Sequence, residues 1–153
     1  MRSFKSLLLV LLCALPFAAS ADVWLKTQTP AAPQILDVGE AFELMPVERS
    51  GRHLTVSWFI SKGYYLYRER MHFKVIDPQG ERLGMPKFPA SETHHDAHFG
   101  DVHIYRGGRI SVELPLAKSA SPPRQLEVSY QGCAESGVCY PPQTKILDIP
   151  AQP

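Results

Sequence analysis

The apolar positions of this chain recur with a period of two, in short runs separated by turn residues. "RISVELPL", Arg109 to Leu116, puts Ile110, Val112, Leu114 and Leu116 on one face, and "QLEVSYQGC" does the same with Leu126, Val128 and Tyr130. "MHFKVID", Met71 to Asp77, begins in alternation and is closed by the turn "PQG". "LTVSWFI", Leu54 to Ile60, is dense in β-branched and aromatic side chains. "TKILDI", Thr144 to Ile149, supplies a last strand, and "EAFELMPV", Glu40 to Val47, a fainter one. Strand side chains point alternately to two faces, so each run predicts a strand with one apolar side. No window carries a 3.6-residue apolar stripe of useful length, and fourteen prolines interrupt the helical candidates. The expected fold is all-β, an antiparallel sandwich of short strands at regular spacing. "AKSASPPRQ", Ala117 to Gln125, reads as a loop inside one domain, because strand patterns resume at once.

The first residues follow a different pattern. Arg2 and Lys5 precede "LLLVLLCALPFAA", Leu7 to Ala19, and "ASA" ends at Ala21. A basic start, a short apolar run and an A-x-A end predict a secretory signal peptide over residues 1–21. The run is shorter than the roughly 20 residues that cross a bilayer. Leu12 before Cys13 is not the small residue of a lipoprotein site. Cleavage leaves residues 22–153, opening with the irregular, proline-containing "DVWLKTQTPAAP". About 132 residues suit one domain with a real core.

Charge and cysteines narrow the class. Losing Arg2 and Lys5 takes 16 basic residues against 15 acidic to a formal charge of −1. A near-neutral surface argues against nucleic acid as a partner. The exported chain keeps two of three cysteines, Cys133 and Cys139, and an even count in an oxidising compartment favours a disulfide. Five residues, "AESGV", lie between them, which is too wide for the C-x-x-C of a thioredoxin site. Gly137 can supply a positive φ for a turn, and Pro141 and Pro142 hold the return path extended. The two sulfurs are then expected across the neck of a hairpin, between Tyr130 and Tyr140.

Such a pair has two readings. A structural bridge is the plain one. Yet a loop of about seven residues gains only ~2.4 kcal/mol of loop closure, less where a hairpin already joins its ends. A domain of this size needs no staple. A weakly stabilising loop disulfide is also easier to reduce, which suits exchange chemistry. Histidines offer a rival chemistry: His94, His95, His98 and His103 fall within ten residues, and imidazole with thiolate suits zinc or copper. Their spacing matches no familiar ligand set, and in an extended stretch His94 and His95 point to opposite faces. A solvated loop is the plainer account of the cluster.

Three separated stretches, in order, resemble one family. "YQGCAESGVCYPPQTK", Tyr130 to Lys145, is similar to the redox motif of the N-terminal periplasmic domain of DsbD, the bacterial transmembrane thiol–disulfide reductant conductor. "KGYYLYRERM", Lys62 to Met71, resembles its aromatic segment, and "HHDAHFGDVHIYR", His94 to Arg106, its loop with H-x-D and a closing I-Y-R. The likeness spans about residues 35 to 150.

That resemblance implies an immunoglobulin-like sandwich that carries electrons with no cofactor and no metal. It implies Cys139 as the sulfur that forms mixed disulfides and Cys133 as the one that resolves them. Tyr65 and Tyr67 match aromatics that border the pair, and Asp96 an acidic residue near the sulfurs. Residues 96–100 match a cap loop. A second acidic residue of the family pattern is Ala97 here. The capping aromatic falls on His98 in an ungapped alignment, with Phe99 next to it. A histidine there would make shielding pH-dependent near neutrality.

Tyr64, Tyr65, Tyr67, Tyr130 and Tyr140 supply apolar bulk, and Asp96 and Glu135 disfavour further negative charge, so the expected thiols are less acidic than in C-x-x-C enzymes. The implied partners are thioredoxin-like periplasmic proteins, namely disulfide isomerases and cytochrome-maturation thioredoxins, and a membrane-embedded thiol reductant conductor. The conductor is expected on a separate chain, or else this is a stand-alone module with different partners. An inert sandwich with a structural disulfide and a copper or zinc carrier using His94–His103 are the competing classes.

Overall fold

The computed structural model describes residues 35–77, 82–97, 99–118 and 122–152, and among them nine strands form, six of them on the runs above. The expected signal peptide, the lead-in to Pro33 and His98 lie outside the described residues. The strands are β1 (Phe42–Leu44), β2 (Glu48–Ser50), β3 (His53–Tyr67), β4 (His72–Asp77), β5 (Glu92–Asp96), β6 (Gly100–Pro115), β7 (Gln125–Tyr130), β8 (Gly132–Ala134) and β9 (Gln143–Asp148). One sheet has the order β1-β3-β6-β5, with β2 and β8 also on β3; the other is β4-β7-β9. Every strand pairing is antiparallel. Among the described residues no helix is long and apolar enough to cross a membrane.

Alternation builds the core between the sheets. On β3 the side chains of Leu54, Val56, Trp58 and Ile60 are fully buried, and they meet Leu114, Val112, Ile110 and Gly108 across the ladder to β6. Val75, Leu126 and Val128 close the core from the second sheet. The Trp58 ring lies edge-on to Phe73 at 6.2 Å and to Tyr130 at 5.7 Å. Each such side chain contributes about 1.5–3 kcal/mol on burial, and slipping one residue would turn the whole set to solvent.

Two strands run further than their sequence patterns predict. β3 continues from Ile60 to Tyr67, and β6 begins at Gly100 rather than near Arg109. Glycines hide both extensions by breaking the alternation. Gly63 has φ 85°, and Gly107 and Gly108 have φ 41° and 82°. The register jumps there, from Ile60 opposite Gly108 to Tyr65 opposite Arg106. Tyr105 and Ile110 can then both face the core although five residues apart. The stretch from His94 to Arg106, expected as a loop, is the hairpin of β5 and β6.

Beyond the bulge, β3 changes partner on its outer edge. β8 pairs with it, placing Ala134 opposite Tyr64, Cys133 opposite Tyr65 and Gly132 opposite Leu66. This approach is close. A Cβ at Gly132 would lie 2.4 Å from the Tyr65 carbonyl oxygen and 2.5 Å from Phe42 Cζ. Gly132→Ala is therefore expected to lower stability by about 2–3 kcal/mol through overpacking, read from the urea midpoint. An unchanged midpoint would mean that β8 does not bear on β3 this tightly.

Candidate functional site

β7 ends at Tyr130, and the chain crosses through Gln131 into β8, so the hairpin leaves the second sheet and docks on the first. The neck is closed by backbone bonds: Ala134 N–H donates to the Val138 carbonyl at 2.7 Å and Tyr140 N–H to the Gly132 carbonyl at 3.0 Å. Cys133 and Cys139 lie between these bonds, their Cα atoms 4.0 Å apart, and are joined as a disulfide. A pair flanked rather than bridged by backbone bonds is where antiparallel side chains approach most closely. Cys133 is fully buried and Cys139 is exposed, so one bond has a protected and an open sulfur.

Strand alternation gathers the neighbours of Cys133. Tyr64, Leu66 and Ala134 face the main core, while Tyr65, Tyr67, Val102, Ile104 and Cys133 form a second buried cluster on the opposite face of the sheet. The Tyr67 hydroxyl lies 3.1 Å from Cys133 Sγ and donates to Asp96 Oδ2 at 2.5 Å. Tyr65 donates to the same oxygen at 3.2 Å, and Phe99 N–H to Asp96 Oδ1 at 3.1 Å. A buried carboxylate fed by several donors is a satisfied one. Phe99 stands edge-on to Tyr67 with ring centres 5.3 Å apart. Of the residues expected as a cap loop, Asp96 ends β5 and Gly100, with φ 70°, opens β6, so both belong to the β5–β6 hairpin.

Two expected neighbours sit elsewhere. The rings of Tyr130 and Tyr140 pack with Phe42, at 6.5 and 5.5 Å, in the main core rather than over the sulfurs. The crossover from β7 into β8 turns them inward. Tyr140 donates to the Leu36 carbonyl and Tyr64 accepts from Leu36 N–H at 2.8 Å, so these tyrosines tie the start of the described chain to the hairpin.

The rim of the site was less visible in the sequence. Arg106 pairs with Glu92 at 3.1 Å and with Glu135, inside the cysteine loop, at 2.6 Å; its guanidinium lies 5.5 Å from the Tyr65 ring centre. It therefore ties the loop carrying Cys139 to β6. Counting alternate positions down β6 from Val102 would have put Ile104 and Arg106 on the site's face. The histidines diverge: His94 stands against the Tyr65 ring at 5.3 Å, His95 pairs with Asp101 at 2.7 Å and His103 with Glu69 at 2.7 Å. Among the described residues no three His, Cys, Asp or Glu side chains cluster to hold a metal ion.

Fold and site together define a class: an immunoglobulin-like antiparallel sandwich whose one disulfide, at a hairpin neck, is buried on one sulfur and open on the other. Residues 32–151 match the model of the family "Thiol:disulfide interchange protein DsbD, N-terminal", and the chain belongs to that family. It is 44% identical over 115 residues to thiol:disulfide interchange protein DsbD 1 of Pseudomonas aeruginosa, covering 74% of this chain and 19% of that protein. It is 34% identical over 147 residues to DsbD of Photorhabdus laumondii, covering 96% and 24%. The chain thus spans about a fifth to a quarter of the length of these relatives. Among solved structures it resembles the reduced DsbD N-terminal domain of Neisseria meningitidis, with TM-score 0.70 and 34% identity over 78% of this chain and 92% of that one. It also resembles the structure of the complex between the DsbD N-terminal and PilB N-terminal domains of the same species, with TM-score 0.66 and 33% identity over 79% and 91%.

Burial sets the acidity of the tyrosines. It is the largest cause holding Tyr67 far above the ordinary 10.0, and the hydrogen bond to Asp96 adds to it. Burial also raises Tyr65 and Tyr130, and pushes Tyr140 up to about 12. A raised folded value favours the neutral form, so this stabilisation is whole below pH 10.0 and fades as pH climbs through the folded values. Stability is expected to fall steadily above about pH 10. Tyr67→Phe should cost about 1–3 kcal/mol at neutral pH by removing a donor from Asp96, and should flatten the alkaline fall. Urea midpoints from neutral to alkaline pH check both; an unaltered alkaline slope would contradict the assignment.

Proposed function

We propose that this chain is a periplasmic carrier of reducing equivalents that works by making and breaking the Cys133–Cys139 bond. Residues 1–21 would direct its export and be cleaved. The asymmetry of the pair carries the reading: Cys139 is exposed while Cys133 is fully buried against Tyr67. A donor thiolate attacks the Cys139 sulfur in line with the bond. The Cys133–Cys139 bond breaks as a mixed disulfide forms at Cys139, and Cys133 leaves as a thiolate that takes up a proton. The donor's second thiolate then releases Cys139, so the donor ends as a disulfide and this chain as a dithiol, two electrons having moved. Running the same steps from Cys139 against an acceptor disulfide passes those electrons on.

Each neighbour has a part in that cycle. The Tyr67 hydroxyl donates its hydrogen bond to Asp96, which leaves its oxygen facing Cys133 Sγ to accept a hydrogen bond from the reduced thiol. Tyr67 stays neutral at working pH because burial holds its acidity down. The Asp96 carboxylate, one hydroxyl away, opposes a thiolate at Cys133 and favours its protonation. Tyr65, Tyr67 and Phe99 cover the buried sulfur and restrict access until a partner docks. Among the described residues no ligand cage forms, and His94, His95 and His103 diverge, which weighs against the metal-carrier reading.

The partners would be thioredoxin-like proteins of the same compartment, disulfide isomerases and cytochrome-maturation thioredoxins on the acceptor side, with a membrane-embedded thiol reductant conductor as the source. The complex of a relative with a PilB N-terminal domain supports exchange through docked proteins. Cys133→Ala, which leaves Cys139 as a lone thiol, should accumulate mixed disulfides with such partners when produced in the periplasm, separable on non-reducing gels and identifiable by mass spectrometry. Cys139→Ala should accumulate far fewer. Equal trapping by the two variants, or none by either, would contradict the assigned roles.

A further inference from the structure

We propose that Arg70 is the latch on the aromatic cover of Cys133, the sulfur that must leave when Cys139 is attacked, and that a carboxylate on the incoming partner is what releases it. The inference rests on the exchange reading above. Phe99 presents one side to Tyr67, and Tyr67 touches Cys133. The Arg70 guanidinium lies over the Phe99 ring, 4.3 Å from its centre. Phe99 is 39% exposed, so it is the outermost ring of the cover. It is held between a buried tyrosine and a cation.

Arg70 comes from a separate element, the single 3₁₀ turn Arg68–Arg70 that joins β3 to β4. That turn is anchored. Glu69 accepts from the His103 backbone N–H at 3.2 Å and meets the His103 ring nitrogen at 2.7 Å. Burial alone would raise the Glu69 carboxyl, but these hydrogen bonds more than reverse it and hold it below its ordinary value. The anchor on β6 therefore fixes where Arg70 can reach, and it reaches the tip of the neighbouring hairpin.

The charge of Arg70, like that of Arg68 over the Phe88 ring at 5.2 Å, is spent on an aromatic face. Arg106, Arg109 and Arg124 each pair with a carboxylate, whereas among the described residues Arg70 makes no ion pair. A guanidinium stacked on an exposed ring shifts an equilibrium by only about two- to five-fold. A carboxylate takes the same guanidinium bidentately, with stronger, charge-assisted hydrogen bonds. An acidic side chain beside the reactive cysteine of a partner would thus draw Arg70 off Phe99 as the partner docks. Solvent and neutral thiols would leave the latch in place. Arg70 is a positioning residue in this scheme; it acts on the sulfurs through Phe99.

Dihydrolipoate and dihydrolipoamide are the same dithiol with and without a carboxylate, and each can reduce the pair while closing to its own cyclic disulfide. We would measure both second-order rates for the oxidised wild type, Arg70→Gln, Phe99→Ala and the double variant. Arg70→Gln should speed dihydrolipoamide about two- to five-fold, and that gain should vanish in the Phe99→Ala background. Dihydrolipoate should outpace dihydrolipoamide on the wild type, with the ratio falling at least about two-fold in Arg70→Gln. An unchanged dihydrolipoamide rate in Arg70→Gln, or the same gain with Phe99 absent, would overturn the latch. An unchanged ratio would overturn release by carboxylate. A pair that neither dithiol reduces in any variant, wild type included, would instead bring down the exchange reading and the latch with it.

Discussion

Every feature of the site depends on β8 lying against the far half of β3. The pairing is possible because Gly132 has no side chain where the Tyr65 carbonyl and the Phe42 ring press in. It happens beyond the bulge, where Gly63 and the Gly107–Gly108 pair let the long strands bend and free the edge of β3. From that docking the rest follows geometrically. Cys133 falls opposite Tyr65, its side chain goes to the outer face, and Tyr67 two residues on reaches its sulfur. Cys139, on the returning arm, is left in the open. The asymmetry between the sulfurs is a property of sheet pleating more than of local residue choice.

Electrostatics then decides what that asymmetry is good for. The surroundings of Cys133 contain neutral tyrosines and a carboxylate, with Arg106 placed at the rim and engaged by Glu92 and Glu135. Among the described residues none at Cys133 favours a free thiolate, unlike the helix N-termini and cations that make C-x-x-C thiols acidic. On the proposed cycle, a dithiol held this way would keep its electrons in an oxidising compartment until a partner reaches Cys139. Cover and acidity act in the same direction, and the hairpin tip bearing Phe99 belongs to the same sheet that positions the sulfur.

Much of this was legible in the chain. Period-two runs gave the β class and most strand cores, because burying one face leaves a plain mark on the sequence. The redox motif, the aromatic segment and the H-x-D stretch marked Cys133, Cys139, Tyr65, Tyr67, Asp96 and either His98 or Phe99; His98 lies outside the described residues, and the structure gathers Tyr65, Tyr67, Asp96 and Phe99 on the side of the sheet where Cys133 lies. Glycines concealed the full length of β3 and β6, since a bulge resets the alternation that reveals a strand. Tyr130 and Tyr140 looked like cover for the sulfurs because they are adjacent in sequence; the crossover between sheets turns their rings to the core instead. Arg70 was not visible as a site residue, and Arg106 showed only as the end of the I-Y-R stretch, because their partners, Phe99 and Glu135, are distant along the chain.

The central claim is that the bond at the hairpin neck is cycled rather than kept. Counting free thiols at equilibrium in graded dithiothreitol and glutathione buffers tests it directly. The account predicts that Cys133 and Cys139 become free together, reversibly, in a two-electron transition at a potential above about −300 mV, within reach of thioredoxin-like partners. A pair that stays closed well below that potential would be a structural staple, and the carrier account would be wrong.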